Sequence, residues 1–477
     1  MSGVISFLTS PSYNLTRCKS YEKTLSSCVK CTWISVYTFM QDFGLPRMGK
    51  PMQMDSLLIR GGRKLVGEIE VSGSKNIALA VLSSIVLAEE PVLLRNVPNI
   101  SDTRIKTKLL EIFGAKVEWM GTDVLVDCSN LVAGEPDEEM VRAIRTSFYM
   151  IGPLVARLGT LKMPAPGGCK IGARPVDLHL KGLHLLGAKI TLDGGIYTAT
   201  QKKLKGTEVY LDKPSAGATQ HIMSTAARAE GTTIINNAAM EPEITALADF
   251  LNRIGASIEG AGTPKITIIG KRSLGGGDYK IPADRIQAGT FLLAGAITGG
   301  DVTIRNILPE DQTALVNKMR EAGAFVDEGV DWVRIGAPSR LNGVNVTTMP
   351  HPGFPTDMQQ PMAATLCVAE GTSIIEETIY ESRTGHIMEL NRMGAQIRQE
   401  SGSAVIQGVE SLRGATVYAS DLRAGAALCL AGLVAEGETH VRNIHFIDRG
   451  YEAIESTLNA LGADVQRITE SELVKVR

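Results

Sequence analysis

The stretch "LLEIFGAKVE" (residues 109–118) recurs along the chain and decides its fold. In every copy an amphipathic run ends in Gly-Ala and alternating apolar residues follow, which is typical of a helix and then a strand. The glycines lie roughly 70 residues apart, and regular self-similarity of this kind indicates repeated structural units. Each glycine suits the left-handed position that ends a helix. The six glycines are Gly114, Gly187, Gly255, Gly323, Gly394 and Gly462.

A second phrase recurs upstream of the first, as in "AEGTTIINNA" (229–238) and "AEGETHVRNI" (435–444). Runs that are apolar all round precede it, such as "IQAGTFLLAGAITGG" (286–300) and "AGAALCLAGLVA" (424–435). Helices without a polar face belong in a protein interior. We therefore predict an α/β protein of six similar units of roughly 70 residues, grouped as two domains of three, with buried helices surrounded by sheets.

The composition narrows the class of protein. The 477 residues suffice for two or three domains, and the net charge of −2 gives no indication of a nucleic-acid or membrane partner. Seven scattered cysteines do not form a disulfide framework and favour a reducing compartment. The longest apolar stretch, residues 286–300, is too short and too rich in glycine to span a bilayer. These features predict a soluble protein.

Residues 1–53 differ from the rest because they are rich in Ser and Thr and lack sustained periodicity. They contain Cys28 and Cys31 in "CVKC", but no histidine to complete a zinc site. A transit peptide and a redox motif are alternative interpretations. We prefer the hypothesis that translation starts near Met54 and that 1–53 is a disordered or artefactual extension.

Basic residues stand at the predicted starts of most of the buried helices. A cation there opposes the helix dipole, whereas a bound anion turns the same arrangement into a favourable site. Helices of symmetric units point the same way, so these starts should meet at one end of each domain and face a strongly anionic ligand. The residues concerned are Lys75 and Asn76, Arg145, Lys213 and Ser215, Arg285 beside Asp284, and Arg423.

Two further residues suggest acid–base chemistry. Cys169 lies in the loop sequence "MPAPGGCKIGARPVDLHL" (163–180), where Lys170 and Arg174 would lower the pKa of its thiol; a surface cysteine is the alternative. Asp357 lies in "HPGFPTDMQQ" (351–360), at the one helix start without a neighbouring basic residue. It is a candidate general base, and a helix N-cap is the alternative. The histidines show no metal-binding spacing, and no nucleotide P-loop or Rossmann fingerprint is present.

From Met54 to about Ile468 the sequence resembles the UDP-N-acetylglucosamine 1-carboxyvinyltransferases of the EPSP synthase family. The resemblance implies a two-domain inside-out α/β barrel. We expect 54–74 plus 284–477 to form one domain and 75–283 the other, with 163–175 as a mobile lid. The motifs that carry the resemblance are "SGSKNIAL", "PGGCKIGARPVDLHL", "GATQHIMSTAARAEGTT", "EPEI", "DRIQAGTF", "HPGFPTDMQ", "DLRAGAAL" and "HFIDRGYE".

The resemblance implies transfer of the enolpyruvyl group of phosphoenolpyruvate to the 3′-hydroxyl of UDP-N-acetylglucosamine, with release of phosphate. This is the first committed step of peptidoglycan synthesis, in the cytoplasm, and thus serves cell-wall growth, cell shape and division. No metal, cofactor or protein partner is implied. Cys169 would protonate the methylene carbon, as a thiol open to the antibiotic fosfomycin, and Asp357 would take the hydroxyl proton.

The remaining site residues follow from the same resemblance. Phosphoenolpyruvate would be held by Lys75, Asn76, Arg174 and Arg449. Arginines Arg383 and Arg423 would line the same cleft. The UDP-sugar would contact Arg145, Arg174, Pro175, Val176, Asp177, Leu178, Lys213, Pro214, Ser215, Ala216, Gly217, Asp357 and Ile379.

One segment departs from the family pattern "DKVSVGAT", because residues 212–219 read "DKPSAGAT". Pro214 and Ala216 replace two valines, so we expect UDP-sugar binding with altered affinity. Two alternatives remain: the sister transferase that acts on shikimate 3-phosphate, whose "GNAGT" motif is missing here, and a non-catalytic UDP-sugar-binding paralogue, which should have lost Cys169, Asp357 or Lys75.

Overall fold

A computed structural model describes residues 55–167, 176–400 and 402–469. These residues lie in one compact unit of the chain, Met54–Arg477. Helices and strands follow one another throughout it, so the fold is mixed α/β as predicted. In the described part of the chain no helix is long and apolar enough to cross a membrane. The predicted extension 1–53 lies outside the described residues.

The helices are of two kinds, which alternate along the chain except where Glu138–Ala143 follows Ser101–Ile112. Those over the uniformly apolar runs are buried largely or wholly, and every residue from Ile286 to Ile297 is buried. This confirms the prediction of interior helices. The buried helices are Lys75–Ser84, Ile151–Leu158, Ala216–Ala226, Arg285–Ile297, Gln359–Leu366 and Leu422–Val434. The other helices are Ser101–Ile112, Glu138–Ala143, Asp177–Leu185, Pro242–Arg253, Thr313–Glu321, Gly385–Arg392 and Ile454–Ala460. Short 3₁₀ segments cover Ile85–Leu87, Arg145–Met150, Pro309–Gln312, Thr356–Met358 and Ile444–Arg449.

The described strands form small sheets, and five of these sheets share one pattern: a parallel edge pair followed by two antiparallel pairs. Most strands bury every second residue, as in Lys265–Ile269, so one face of each sheet packs on a core. In spatial order from the parallel edge, one sheet contains Thr416–Tyr418, Glu438–Arg442, Ser56–Arg60 and Val465–Ile468, and a second contains Glu208–Tyr210, Thr232–Asn236, Lys265–Ile269 and Ser257–Glu259. A third contains Gly277–Lys280, Val92–Arg95, Asp123–Asp127 and Lys116–Met120, and a fourth contains Val66–Glu70, Asp301–Arg305, Trp332–Gly336 and Phe325–Glu328. The fifth contains Val346–Thr347, Thr372–Glu376, Ser403–Gln407 and Gln396–Glu400. A sixth, antiparallel sheet has Thr160–Pro164, Ile196–Thr200 and Lys189–Asp193, and Leu412–Arg413 pairs with Ala435–Glu436.

The repeated Gly-Ala phrase has the backbone that the sequence predicts. All six glycines have φ between +87° and +106° directly after a helix. A second left-handed position recurs after the strand of the other phrase, at Asn96, Asn237, Asn306 and Asn443, with φ of 56° to 59°. Asparagine tolerates this conformation better than most residues. In the copy at 369–378, Glu377 occupies the corresponding position. Unlike the asparagines, Glu377 does not have a positive φ.

The described chain has two hydrophobic cores. One collects side chains from 57–71 and 286–465, and the other collects side chains from 77–281. The chain passes between these groups twice, and the two passages pair with each other at Gly73 and Ala283. The domain boundaries at 74/75 and 283/284 remain a prediction.

The conformational role of the repeated glycine can be tested at Gly394, whose φ is +93° and where an added Cβ would meet no atom within 4 Å. Gly394→Ala should lower the free energy of unfolding by about 1–2 kcal/mol, because an L-residue pays that cost in the left-handed region. Gly394→Asn should lower it much less. The control is Gly336→Ala, at an equally open position without positive φ, which should not destabilise. Equal losses for both Gly394 variants in equilibrium denaturation would contradict the assignment.

Candidate active site

The starts of two buried helices meet at Asp284. Its Oδ1 accepts hydrogen bonds from the backbone N–H groups of Ile286 and Gln287, both at 2.9 Å, and so caps its own helix. Its Oδ2 accepts the backbone N–H of Lys75 at 3.0 Å, at the start of the other helix. One carboxylate therefore joins the starts of two helices, one from each of the two predicted domains. Arg285, next along the chain, pairs with buried Glu243 at 3.1 Å.

Lys75 and Arg449 come together on a carboxylate that sequence reasoning missed. Asp102 is almost fully buried, and its Oδ2 lies 2.9 Å from Lys75 Nζ. Arg449 donates to the same carboxylate from Nε at 2.8 Å and from Nη2 at 3.3 Å. Asp102 lies in the first turn of an amphipathic helix, Ser101–Ile112. The sequence pattern pointed to site residues only at the starts of the buried helices, so it did not include Asp102.

Charge is crowded around this cluster. Burial lowers the pKa of Lys75, and the guanidinium groups of Arg449 and Arg423 lower it further, while Asp102 opposes them. Burial alone would raise the pKa of Asp102, but Lys75 and Arg449 outweigh it and hold the pKa below its ordinary value. Asn76, the next predicted contact, is exposed on the first turn of the same helix as Lys75. The arrangement suits a ligand that carries several negative charges.

A second cluster surrounds Asp357. Arg383 donates from Nη2 to Oδ1 at 2.9 Å, and Arg423 donates to Oδ2 from Nη2 at 3.1 Å and from Nε at 3.3 Å. Both guanidinium groups are buried, with 3% of each side chain exposed, whereas 26% of Asp357 is exposed. The sequence shows no basic residue beside this acid at the helix start, and the two arginines that the family resemblance placed in the same cleft reach it from 26 and 66 positions further along the chain. Asp357 is also no N-cap but lies inside the 3₁₀ segment Thr356–Met358.

The hydrogen bonds from the two arginines limit how Asp357 could act as a general base. Each of its carboxylate oxygens already accepts a hydrogen bond from an arginine. An incoming hydroxyl must therefore share or replace one of these contacts before its proton can move to Asp357. The exposed side of the carboxylate provides the approach.

Glu377 holds the surroundings of Asp357 in place and was also missed. Its Oε2 accepts the Thr356 hydroxyl at 2.8 Å, beside Asp357 in sequence. Its Oε1 accepts the backbone N–H groups of Ile379 at 2.8 Å and Tyr380 at 3.0 Å. The signal was present in the repeat, because Glu377 replaces the asparagine of the other copies. This glutamate thus ties the predicted ligand residue Ile379 to the Asp357 segment.

A third cluster lies at the start of the helix Ala216–Ala226. Ser215 caps the helix, since its hydroxyl accepts the Ala218 N–H at 3.3 Å. Pro214 is exposed just before the cap and Ala216 is half-buried just after it, so the departure from the family pattern leaves the cap formed. Gly217 is packed closely, because a Cβ there would stand 2.3 Å from Tyr149 Oη and 3.2 Å from His179 Cε1.

Two segments that carry other predicted UDP-sugar contacts, Arg145–Met150 and Asp177–Leu185, pack against the helix Ala216–Ala226. Arg145 begins a 3₁₀ segment and acts electrostatically on His179. Val176 precedes the helix Asp177–Leu185, on which Asp177 is exposed and Leu178 is buried. Lys213 is exposed. Cys169, Arg174 and Pro175 lie outside the described residues, as does most of the predicted lid.

The described cysteines differ from a reactive thiol. Cys128, Cys367 and Cys429 are buried and unpaired, and burial raises the pKa of each thiol to about 12. They therefore stay protonated and unreactive near neutral pH. No group of three or more potential metal ligands occurs among the described side chains.

Comparison with known proteins identifies the family. Residues 59–458 match the family model for EPSP synthase (3-phosphoshikimate 1-carboxyvinyltransferase). The chain is 51% identical over 417 residues to UDP-N-acetylglucosamine 1-carboxyvinyltransferase of Klebsiella pneumoniae, which covers 87% of this chain and 99% of that protein.

Solved structures agree with the sequence comparison. The enolpyruvyl transferase NikO from Streptomyces tendae superposes with a TM-score of 0.79 at 27% identity, over 87% of this chain and 99% of NikO. EPSP synthase from Acinetobacter baumannii shares the fold with a TM-score of 0.67 at 19% identity, over 87% of this chain and 100% of that structure. The chain therefore belongs to the EPSP synthase family and, within it, to the UDP-N-acetylglucosamine 1-carboxyvinyltransferases.

Proposed function

We propose that the chain transfers the enolpyruvyl group of phosphoenolpyruvate to the 3′-hydroxyl of UDP-N-acetylglucosamine and releases phosphate. The observation that carries the proposal is the convergence of Lys75, Arg449, Arg423 and Arg383 on two acids, Asp102 and Asp357, in a chain of this family. Such a site offers cations for a polyanionic donor next to a carboxylate for the acceptor hydroxyl.

Phosphoenolpyruvate, with close to three negative charges, would bind Lys75, Asn76, Arg174 and Arg449. Its phosphate and carboxylate would exchange places with Asp102 as partners of Lys75 and Arg449. The transition state resembles an oxocarbenium ion, and fixed cations that hold both anionic groups stabilise it in a site from which water is excluded. Asp102 acts as a positioning residue, because it keeps the two cations oriented before the donor arrives.

UDP-N-acetylglucosamine would bind with its diphosphate at the helix start at Ser215, near Lys213 and Arg145. Helix N-termini with free N–H groups favour phosphate. The segment 174–178 and residues 214, 216 and 217 would complete this part of the site. The sugar would then lie towards Ile379 and Asp357, with Arg383 and Arg423 along the cleft.

The reaction would proceed by addition and elimination. Asp357 takes the proton from the 3′-hydroxyl, whose oxygen bonds to C2 of phosphoenolpyruvate, while Cys169 gives a proton to the methylene carbon. The adduct then loses a proton from that carbon and its phosphate leaves, which restores the double bond. An acid and a base on opposite sides of the reacting carbon meet the needs of both steps.

The finer architecture and the setting belong to the same proposal. The chain would form an inside-out barrel of two domains, 54–74 plus 284–477 and 75–283, with 163–175 as a lid. Six buried helices, repeated sheet patterns and two hydrophobic cores support this arrangement. The product would enter peptidoglycan synthesis in the cytoplasm, and through it cell-wall growth, cell shape and division.

Phosphate release from phosphoenolpyruvate tests the reaction directly. Release should occur with UDP-N-acetylglucosamine and not with shikimate 3-phosphate, and Cys169→Ala should reduce it at least a hundred-fold, within the range of general acid catalysis of about 10²–10⁴. Release with shikimate 3-phosphate alone would assign the sister activity. No release with either acceptor from a folded sample would favour a non-catalytic paralogue.

Arg449→Gln tests the donor site. It should raise the KM for phosphoenolpyruvate about 10- to 100-fold, because a hydrogen bond to a charged group contributes about 1.5–3 kcal/mol. The KM for the UDP-sugar should change far less. The matched control is Arg334→Gln, whose guanidinium pairs with Asp301 on an exposed strand, with Nε 2.7 Å from Oδ1. An unchanged donor KM in Arg449→Gln, or an equal rise in the control, would contradict the assignment.

Fosfomycin tests the thiol. In the presence of UDP-N-acetylglucosamine the epoxide should alkylate Cys169 and abolish activity. Peptide mapping should find no adduct on Cys128, Cys367 or Cys429, because burial keeps these thiols protonated. Inactivation without an adduct on Cys169, or an adduct on a buried cysteine, would count against the assigned role.

A further inference from the structure

Two buried histidines pack directly behind the helix start at Gly217. His179 and His221 expose 6% and 1% of their surface, and their Nδ1 atoms are 3.1 Å apart. Tyr149 covers both rings, at 5.2 Å from the ring centre of His179 and 6.1 Å from that of His221. Phe148 meets both rings edge-on at 5.5 and 5.6 Å. The pair is therefore held in a fixed mutual orientation.

The backbone decides which nitrogens carry protons. The N–H of Gly152 donates to Nε2 of His221 at 2.9 Å. A backbone N–H can only donate, so Nε2 of His221 is the unprotonated nitrogen and neutral His221 carries its proton on Nδ1. That proton must be donated to Nδ1 of His179. His179 in turn accepts at Nδ1, and its single proton is on Nε2.

The electrostatic surroundings keep both rings neutral. Burial lowers the pKa of His179 to about 3, and Arg145 adds to the effect. Burial also lowers the pKa of His221 well below its ordinary value, and His179 and Lys106 contribute. Lys106 is itself fully buried and donates to the Thr146 carbonyl at 2.7 Å. Protonation of His179 at Nδ1 is further disfavoured, because the Nδ1 proton of His221 already points at this atom.

His179 touches the proposed ligand site. Its Cε1 atom, which lies between Nδ1 and Nε2, would stand 3.2 Å from a Cβ on Gly217, the second residue of the helix capped by Ser215. Because Nδ1 faces His221, Nε2 is the ring nitrogen beside this Cε1 that is left for a ligand at the first turn of the helix. A neutral donor beside free backbone N–H groups adds a hydrogen bond for an anion without adding a buried charge.

We propose that His221 is a positioning residue that locks His179 in the neutral Nε2–H form, so that His179 donates a hydrogen bond to the diphosphate of the UDP-sugar. This lock consists of two successive hydrogen bonds: the Gly152 N–H donates to Nε2 of His221, and Nδ1 of His221 donates to Nδ1 of His179. The inference rests on the proposed function for the identity of the ligand, but the state of the histidine pair can be measured without it.

Two substitutions at His221 separate the lock from simple packing. In His221→Gln the terminal amide reaches the position of Nε2 and can still accept the Gly152 N–H, but no donor remains for His179. In His221→Asn the amide N–H lies near the position of Nδ1 and can still donate to His179, but the Gly152 N–H loses its acceptor. A packing role predicts the opposite order of damage, because Asn leaves the larger gap.

The kinetic measurement is the KM of each substrate for both variants. His221→Gln should raise the KM for UDP-N-acetylglucosamine about ten-fold, the equivalent of about 1.4 kcal/mol, with kcat and the KM for phosphoenolpyruvate changing far less. His221→Asn should rescue at least half of that loss on a logarithmic scale. Equal KM values in the two variants, or a worse KM in His221→Asn, would overturn the proposal.

The direct measurement is ¹⁵N NMR of the histidine side chains in the unliganded protein at pH 7, with signals assigned by single substitutions. Nδ1 of His179 should appear as an unprotonated acceptor and Nε2 as protonated, and the pattern should be lost in His221→Gln. An Nδ1–H tautomer or a cationic ring for His179 would overturn the lock even if the enzyme is active. Absence of UDP-sugar binding in the wild type, with the expected NMR pattern, would instead refute the proposed function.

Discussion

The site depends on two carboxylates, buried Asp102 and partly exposed Asp357, which let positively charged side chains stand close together. Without Asp102, the ammonium of Lys75 and the guanidinium of Arg449 would face each other in a region where burial already lowers the pKa of the lysine. Asp357 does the same for Arg383 and Arg423. Breaking a buried charge pair on one side is costly because it leaves the other charge without compensation. These acids therefore fix the orientation of the cations before any substrate is present.

The same constraint explains how the repeated fold produces function. The starts of two buried helices meet at Asp284, and helix starts attract anions. The protein supplies such anions itself, because the carboxylate of Asp284 accepts backbone N–H groups from the starts of two helices. Under the proposed function, a polyanionic substrate would replace internal carboxylates as the partner of the same cations. On this account the internal ion pairs predict where the phosphate and carboxylate groups of the substrate bind.

Local features of the site and fold could be predicted from the sequence, and long-range contacts could not. The left-handed glycines, such as Gly394, follow from a requirement of a single residue, so the sequence pattern suffices. The interior helices follow from the absence of a polar face. Asp102 was missed because it meets Arg449 across the fold. Glu377 stands out in the repeat, where it replaces an asparagine, but its contact with Thr356, 21 positions earlier, could not be read from that replacement. The ion pair of Asp357 with Arg423, which lies 66 positions further along the chain, could not be read from the local sequence, and only the family resemblance placed both residues in one cleft.

The most direct test of this account is a crystal structure of the Cys169→Ala variant with phosphoenolpyruvate and UDP-N-acetylglucosamine bound together. The account predicts that Lys75 and Arg449 contact the phosphate or carboxylate of the donor. It also predicts that the 3′-hydroxyl of the sugar lies within hydrogen-bond distance of Asp357, with at least one arginine contact to that carboxylate shared or replaced. A donor bound away from Lys75 and Arg449, with both arginines unchanged on Asp357 and the hydroxyl directed elsewhere, would contradict it.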